Sequence, residues 1–315
     1  MDTQFIFSDN GKRYHTYDFY LRKRFGRKVA KLSVDGGFTC PNRDGTKGCG
    51  GCAFCSGSGS GDFCAEGGVT AQLEAQRAVM RAKWRADAFI PYFRAGTGTY
   101  APLPRLLALW EEALSFSGAV GLSVATRPDC LPDDVCDALA DIARRTFLTV
   151  ELGLQTVNDE VAAKMNRGHG FAEFGQGFMK LRARGIPVCV HIIDGLPGET
   201  ESDMLRTAQT LAAMKPEFVK IHLLHVLKGT PLEKLYADGG FETMTKEEYV
   251  STVVSQIELF PPETVFERVT GDGKGEDLIA PRWSRRKREV LNAIDMEFRR
   301  RGTMQGEKHR GRLFL

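Results

Sequence analysis

Between residues 40 and 55 the chain reads Cys40-Pro-Asn-Arg-Asp-Gly-Thr-Lys-Gly-Cys49-Gly-Gly-Cys52-Ala-Phe-Cys55, a glycine-rich segment that carries three or four thiols suited to one centre. Deprotonated thiols bind zinc and iron-sulfur clusters far better than they bind hard cations. The pair Cys52-x-x-Cys55 lets one short turn present two sulfurs together, and Gly48, Gly50 and Gly51 let the backbone bend closely around what they hold.

The residues alone leave the metal open. A structural zinc site is closed by four ligands and usually reads as two Cys pairs, or a Cys pair followed by a spaced His pair. Neither a second Cys-x-x-Cys nor a His-x3-5-His follows downstream. With Cys40, Cys52 and Cys55 as ligands, a cube-shaped 4Fe-4S cluster keeps one iron without a protein ligand, where a small molecule can bind. A zinc knuckle that adds Cys49, and a set of reduced thiols with no metal, are the other readings of the same loop.

Positioning such a loop needs a scaffold, and the hydrophobic pattern predicts one. Apolar, β-branched stretches at 28–34, 89–93, 120–125, 148–154, 188–193 and 218–224 alternate with segments of helical periodicity at 69–85, 103–115, 132–144, 171–184 and 201–214. Pro132 suits a helix first turn. Six strands alternating with helices imply an α/β fold with a parallel sheet, a partial (β/α)6 barrel. In such folds sites gather where the strands end. That places on one rim the Cys loop, Arg94-Ala-Gly-Thr-Gly-Thr, Ala125-Thr-Arg-Pro-Asp, Glu151-Leu-Gly-Leu-Gln-Thr, His191-Ile-Ile-Asp-Gly-Leu-Pro-Gly-Glu and His222-Leu-Leu-His.

Those segments, in that order, resemble the radical S-adenosylmethionine (radical SAM) superfamily over about residues 28–230. The resemblance is carried by Gly-Gly-Phe-Thr-Cys-Pro-Asn-Arg-Asp-Gly at 36–45, Gly-Gly-Cys-Ala-Phe-Cys at 50–55, Thr-Arg-Pro-Asp at 126–129, Glu-Leu-Gly-Leu-Gln-Thr at 151–156, Asn-Arg-Gly-His at 166–169 and Gly-Leu-Pro-Gly-Glu at 195–199. It is nearest to the branch related to the elongator catalytic subunit and, within it, to the YtqA/YhcC-type proteins. The resemblance implies a radical SAM core at 28–230 between a basic N-terminal extension, 1–27, and a C-terminal helical basic extension, 231–315.

It also implies a 4Fe-4S cluster on Cys40, Cys52 and Cys55, with S-adenosylmethionine on the free iron. Phe54 then packs beside the adenine or covers the cluster. Gly96 and Thr97 stand where the family has an acidic Gly-Gly-Glu motif for the methionine amino group, so backbone carbonyls are expected in its place. Arg167 pairs with the methionine carboxylate, because a guanidinium fork matches a carboxylate bidentately. Gln155 contacts ribose or methionine, and Glu151 either joins it or anchors a Lys or Arg inside the barrel. His191 is a cofactor contact or a hydrogen-bonded core histidine. Arg127 and Asp129 line the substrate side or form an internal ion pair across a rigid turn. Cys64, Cys130, Cys136 and Cys189 read as small buried residues.

The charge is uneven. The chain carries a formal +3, yet 11–31 and 282–312 are each net +7, so the rest is acidic. Basic ends with Tyr14, Tyr17, Tyr20 and Trp283 nearby suit a polyanion whose bases stack on aromatic rings; solvated helix faces are the plain alternative. The family likeness points to transfer RNA as substrate, modified at the wobble uridine by processing of the carboxymethylaminomethyluridine side chain, with flavodoxin or ferredoxin as electron donor. Two other readings compete: a radical enzyme for a small molecule such as a porphyrin precursor, and a noncatalytic metal-stabilised RNA-binding protein. With no signal-like segment and no run of about 18 apolar residues, a cytoplasmic protein without a membrane span is expected. Its eight cysteines read as metal-binding or reduced.

Overall fold

The computed structural model describes residues 5–271 and 275–309. Its strands are β1 (Val29–Val34), β2 (Ala88–Phe93), β3 (Gly121–Thr126), β4 (Phe147–Gln155), β5 (Val188–Asp194), β6 (Phe218–Leu223), β7 (Val226–Leu227), β8 (Val265–Arg268) and β9 (Leu278–Ala280). Its helices are α1 (Tyr17–Phe25), α2 (Val69–Trp84), α3 (Leu103–Leu114), α4 (Asp133–Arg145), α5 (Asp159–Lys164), α6 (Phe171–Ala183), α7 (Glu201–Met214), α8 (Pro231–Ala237), α9 (Lys246–Leu259) and α10 (Lys287–Arg301). One seven-stranded sheet runs in the order β1-β2-β3-β4-β5-β6-β8, the α/β arrangement expected from the sequence. The six expected strands are all present within a residue or two. The seventh, β8, lies in the stretch after 230 that was expected to be helical. It is four residues long and half apolar, too short for periodicity to reveal.

The chain divides into two compact units. One comprises residues 21–153 and 167–189. In it β1, β2, β3 and β4 pair in parallel, with Val29 opposite Ala88, Tyr92 opposite Ser123 and Gly121 opposite Phe147. Leu32, Phe89, Ile90, Phe93, Trp110, Leu122, Val150, Phe174 and Phe178 form its core, each at most 2% exposed. Pro132 caps α4, and Asp133 and Asp134 follow at its positive end while Arg144 and Arg145 close it.

The other unit comprises residues 1–20, 154–166 and 190–315. There β6 pairs in parallel with β8, and β7 antiparallel with β9. Thr200 and Thr245 start α7 and α9 with reciprocal capping boxes to Asp203 and Glu248. Val253, Val254, Ile257, Phe260, Phe266, Ile294 and Phe298 fill the core. Among the described residues no helix is long and apolar enough to cross a membrane.

Candidate metal centre

The Cys loop leaves the end of β1 and is tied down along its length. Gln72 on α2 holds its start, receiving the Asp35 amide at 2.8 Å and donating to the Asp35 carbonyl at 2.9 Å. The amides of Arg43 and Asp44 turn back onto the Cys40 carbonyl at 2.7 and 3.1 Å. Asp44 and Cys49 bridge antiparallel, so the inserted residues form a small hairpin with Cys49 exposed on it. Gly50 and Gly51 then take φ of +78°, where a side chain is strained, and a Cβ on Gly51 would sit 2.8 Å from Arg43 Nε. Cys55 N donates to the Cys52 carbonyl at 2.9 Å, closing the Cys-x-x-Cys turn. Arg43 reaches across the loop to the carbonyls of Cys55, Ser56 and Gly57.

Cys52 is buried, Cys40 and Cys55 half-buried. Burial, then the neighbouring Cys52, pushes the Cys55 thiol up, and Arg43 and Arg167 offset only part of that rise.

Arg167 is the side chain that meets the loop. It is 6% exposed, and its Nη1 donates to Cys52 Sγ at 3.2 Å. Its Nη2 reaches the Gly153 carbonyl and His169 Nε2, both at 2.9 Å, and its Cζ lies 5.8 Å from the centre of the Phe54 ring. Burial, then the cations Arg167 and Arg127, push His169 down to about 3. The ring is therefore neutral, and Nε2 accepts. Asn42, 1% exposed, brings a second donor to Cys52 Sγ, from Nδ2 at 3.8 Å.

The turn that presents Arg167 is clamped in turn. Arg127 Nη1 donates to the Arg167 carbonyl at 2.8 Å and Nη2 to the Gly168 carbonyl at 3.4 Å. The same guanidinium pairs bidentately with Asp129, donating from Nε and Nη2 each at 2.9 Å, and Lys47 of the Cys loop reaches Asp129 at 2.7 Å. Despite burial, those two cations hold the Asp129 carboxyl well below the usual range. Arg127 and Asp129 thus form the internal ion pair of a rigid turn, one of the two roles expected for them. Gly168 has φ of +67°, and a Cβ there would lie 2.9 Å from Asn42 Oδ1. Burial pushes the neighbouring Cys130 thiol up to about 12, which leaves it inert.

At the end of β2, Gly96 has φ of +66°, and its Cβ would lie 2.3 Å from the Phe38 carbonyl. The Thr97 amide donates to the Thr39 carbonyl at 3.0 Å, beside Cys40. These two residues therefore press the backbone of the rim against the Cys loop. Glu151 lies lower on β4. It accepts from Lys31 Nζ at 2.6 Å and Ser123 Oγ at 2.7 Å, and so anchors a lysine inside the sheet.

Gln155 ends β4 with φ of +77° and a buried Oε1 that has no partner. A non-glycine residue in this region persists only where the surrounding structure holds it there. In the same unit, the His191 and His222 rings are 5.3 Å apart. There too Gly195 to Glu199 line a cavity of about 760 Å³ with Phe241, Met244 and Ser251.

Sequence reasoning alone assigns no role to Asn42, Lys47 or His169. Asn-Arg-Gly-His is visible as a motif, but only the fold reveals that its histidine orients its arginine.

The donor set fits a 4Fe-4S cluster and S-adenosylmethionine. Cys52 and Cys55 of the glycine loop face the cations Arg167 and Arg43, and Arg167 Nε is a buried polar atom without a partner.

The radical SAM superfamily model matches residues 40–211, and the Radical_SAM C-terminal domain model matches residues 216–300. YtqA of Bacillus subtilis (strain 168) is 49% identical over 307 residues, covering 96% of this chain and 95% of that protein. YhcC of Escherichia coli (strain K12) is 37% identical over 265 residues, covering 84% and 85%. Among solved structures, Methanocaldococcus infernus Elp3 with residues 1–46 deleted superposes with a TM-score of 0.66 at 18% identity, covering 88% of this chain and 64% of that one. That likeness speaks to the fold.

Proposed function

The chain belongs to the radical S-adenosylmethionine superfamily, and on that premise we propose that it modifies the wobble uridine of transfer RNA, processing the carboxymethylaminomethyl side chain. It is an enzyme whose cofactors are a 4Fe-4S cluster and S-adenosylmethionine. The observation that carries the site is the buried contact of Arg167 with Cys52 inside the tied-down Cys loop. Cys40, Cys52 and Cys55 hold the cluster. When bound, the two cofactors supply a 5′-deoxyadenosyl radical, made by one-electron cleavage of the sulfonium, that removes a hydrogen atom from substrate.

The residues of the chain bind and orient. Arg43 and the Lys47–Asp129–Arg127 bridge hold the loop to the rim. Phe54 covers the arginine and shields the centre from water. Gly96 and Thr97 keep backbone polar groups where the acidic motif is replaced. A flavodoxin- or ferredoxin-like protein donates the electron.

The RNA reading is supported by likeness to Elongator complex protein 3 of Homo sapiens, 28% identical over 162 residues and half of this chain, and by exposed arginines on and beside α10. Comparing the modified nucleosides of transfer RNA from cells with and without the gene tests it. The expected result is accumulation of the carboxymethylaminomethyl form. Unchanged profiles, with cleavage of S-adenosylmethionine retained in the purified protein, would return the substrate to a small molecule.

A further inference from the structure

We propose that Arg167, by hydrogen bonding to the sulfur of Cys52, raises the reduction potential of the cluster, with Asn42 as a second and weaker donor. This rests on the reading of Cys52 as a cluster ligand. A donor on a ligand sulfur withdraws electron density from the iron and favours the reduced, more negative cluster, and potentials in this class of centre are set by such bonds together with solvent exposure. The cation adds to the effect because it is buried with the sulfur, where electrostatic interactions are stronger than in water.

The contact is built rather than incidental. The guanidinium is fixed by the Gly153 carbonyl and His169 Nε2, both at 2.9 Å. Its backbone is fixed by Arg127, at 2.8 Å from the Arg167 carbonyl. Gly168 leaves no room for a side chain between this turn and Asn42. An arginine serving only to catch a carboxylate needs none of its donors on sulfur. Here Nη1 is committed to sulfur, and the buried Nε remains for an anionic group of the cofactor.

The test is an anaerobic redox titration of reconstituted full-length protein, poised with titanium citrate and read by electron paramagnetic resonance of the reduced cluster. No S-adenosylmethionine is added. Arg167→Met removes the donor at similar size, and Arg167→Lys restores a charge without the fork. His169→Leu leaves both partners present but frees the guanidinium.

At the potential that half-reduces the wild type, Arg167→Met should show about a tenfold lower ratio of reduced to oxidised cluster, 59 mV for one electron. Arg167→Lys should recover part of this, and His169→Leu should shift in the same direction by less, all with wild-type iron and sulfide content. A wild type that takes up no cluster overturns the ligand assignment itself. Wild-type potentials in all three iron-replete variants overturn the tuning role alone. Loss of iron from all three makes Arg167 structural and overturns the proposal too.

Discussion

Cys49 and Cys52 stand three residues apart in the same glycine-rich loop, yet the fold treats them differently. Cys52 is buried under Arg167 and Asn42, whereas Cys49 is exposed on a hairpin bridged to Asp44. Replacing Cys52 by Ala should therefore abolish both the absorption of the 4Fe-4S centre and reductive cleavage of S-adenosylmethionine, because a ligated iron loses its anionic partner. Cys49→Ala should keep most of each. Cluster absorption and 5′-deoxyadenosine yield check the pair, and cleavage retained in Cys52→Ala would sink the assignment. The loop was legible in the sequence because thiol spacing and glycines are local signals. That Arg167 faces sulfur was not legible, since 115 residues separate the partners and only the turn set by Arg127 and Gly168 brings them together.

The strands were read correctly where alternating β-branched and helical segments recur, and their interior polar residues follow from that register. Lys31 on β1 and Glu151 on β4 form a pair whose side chains are 15% and 0% exposed, with Ser123 on β3 beneath them. Removing one member strands the other, at a cost of about 3–5 kcal/mol for a buried pair. Glu151→Leu should lower stability by about that amount in denaturant titrations, and Glu151→Leu with Lys31→Met should regain much of it. A loss in the double variant equal to the sum of the Glu151→Leu and Lys31→Met losses would show that the pair is not coupled.

A second buried carboxyl ends β5. Burial pushes Asp194 up to about 7, against one hydrogen bond from Gln256 at 2.7 Å, and leaves its Oδ2 and the Gln256 Oε1 without partners. Burial disfavours the charged carboxylate, so the folded state keeps its proton between about pH 4 and 7 while the unfolded chain has lost it. Stability contributed by this group is thus full below about pH 4 and declines as pH rises to about 7. Glu199, pushed up to about 8 by burial first, extends the decline. Asp194→Asn, whose amide mimics the protonated acid, should flatten the lower part of that slope in melts from about pH 4.5 to 7.5. An unchanged slope would place the carboxyl in its ordinary range.

At the scale of the whole chain, the charge pattern was visible in the sequence but its accessibility was not. Tyr14 is buried against Phe266 and Phe298, so its ring packs the interior instead of stacking on bases, while the half-buried Tyr17 and Tyr20 set their rings edge-on to Phe218. Trp283 is half-buried, with its indole N–H on the Met244 carbonyl at 3.0 Å. Part of the basic charge is already paired within the chain: Lys12 with Asp295, Lys31 with Glu151, and Arg300 and Arg301 with Glu297. Arg285 bonds the carbonyls of Gly275 and Leu278 and is a poor choice for mutation.

Arg286, Arg288 and Arg299 are exposed. Arg288 and Arg299 are eleven residues apart on α10, about three turns and 16 Å, and so lie on one helix face. If transfer RNA is held there by its phosphates, replacing these three arginines by Gln should weaken binding and lower the slope of log affinity against log salt by about two, at roughly 0.7–0.9 for each phosphate that is no longer neutralised. Cleavage of S-adenosylmethionine without RNA should stay at the wild-type rate, since none of the three belongs to the unit that carries the Cys loop. A wild-type salt slope in the triple variant moves the RNA surface elsewhere, and a wild-type protein that binds no RNA at all removes transfer RNA as substrate.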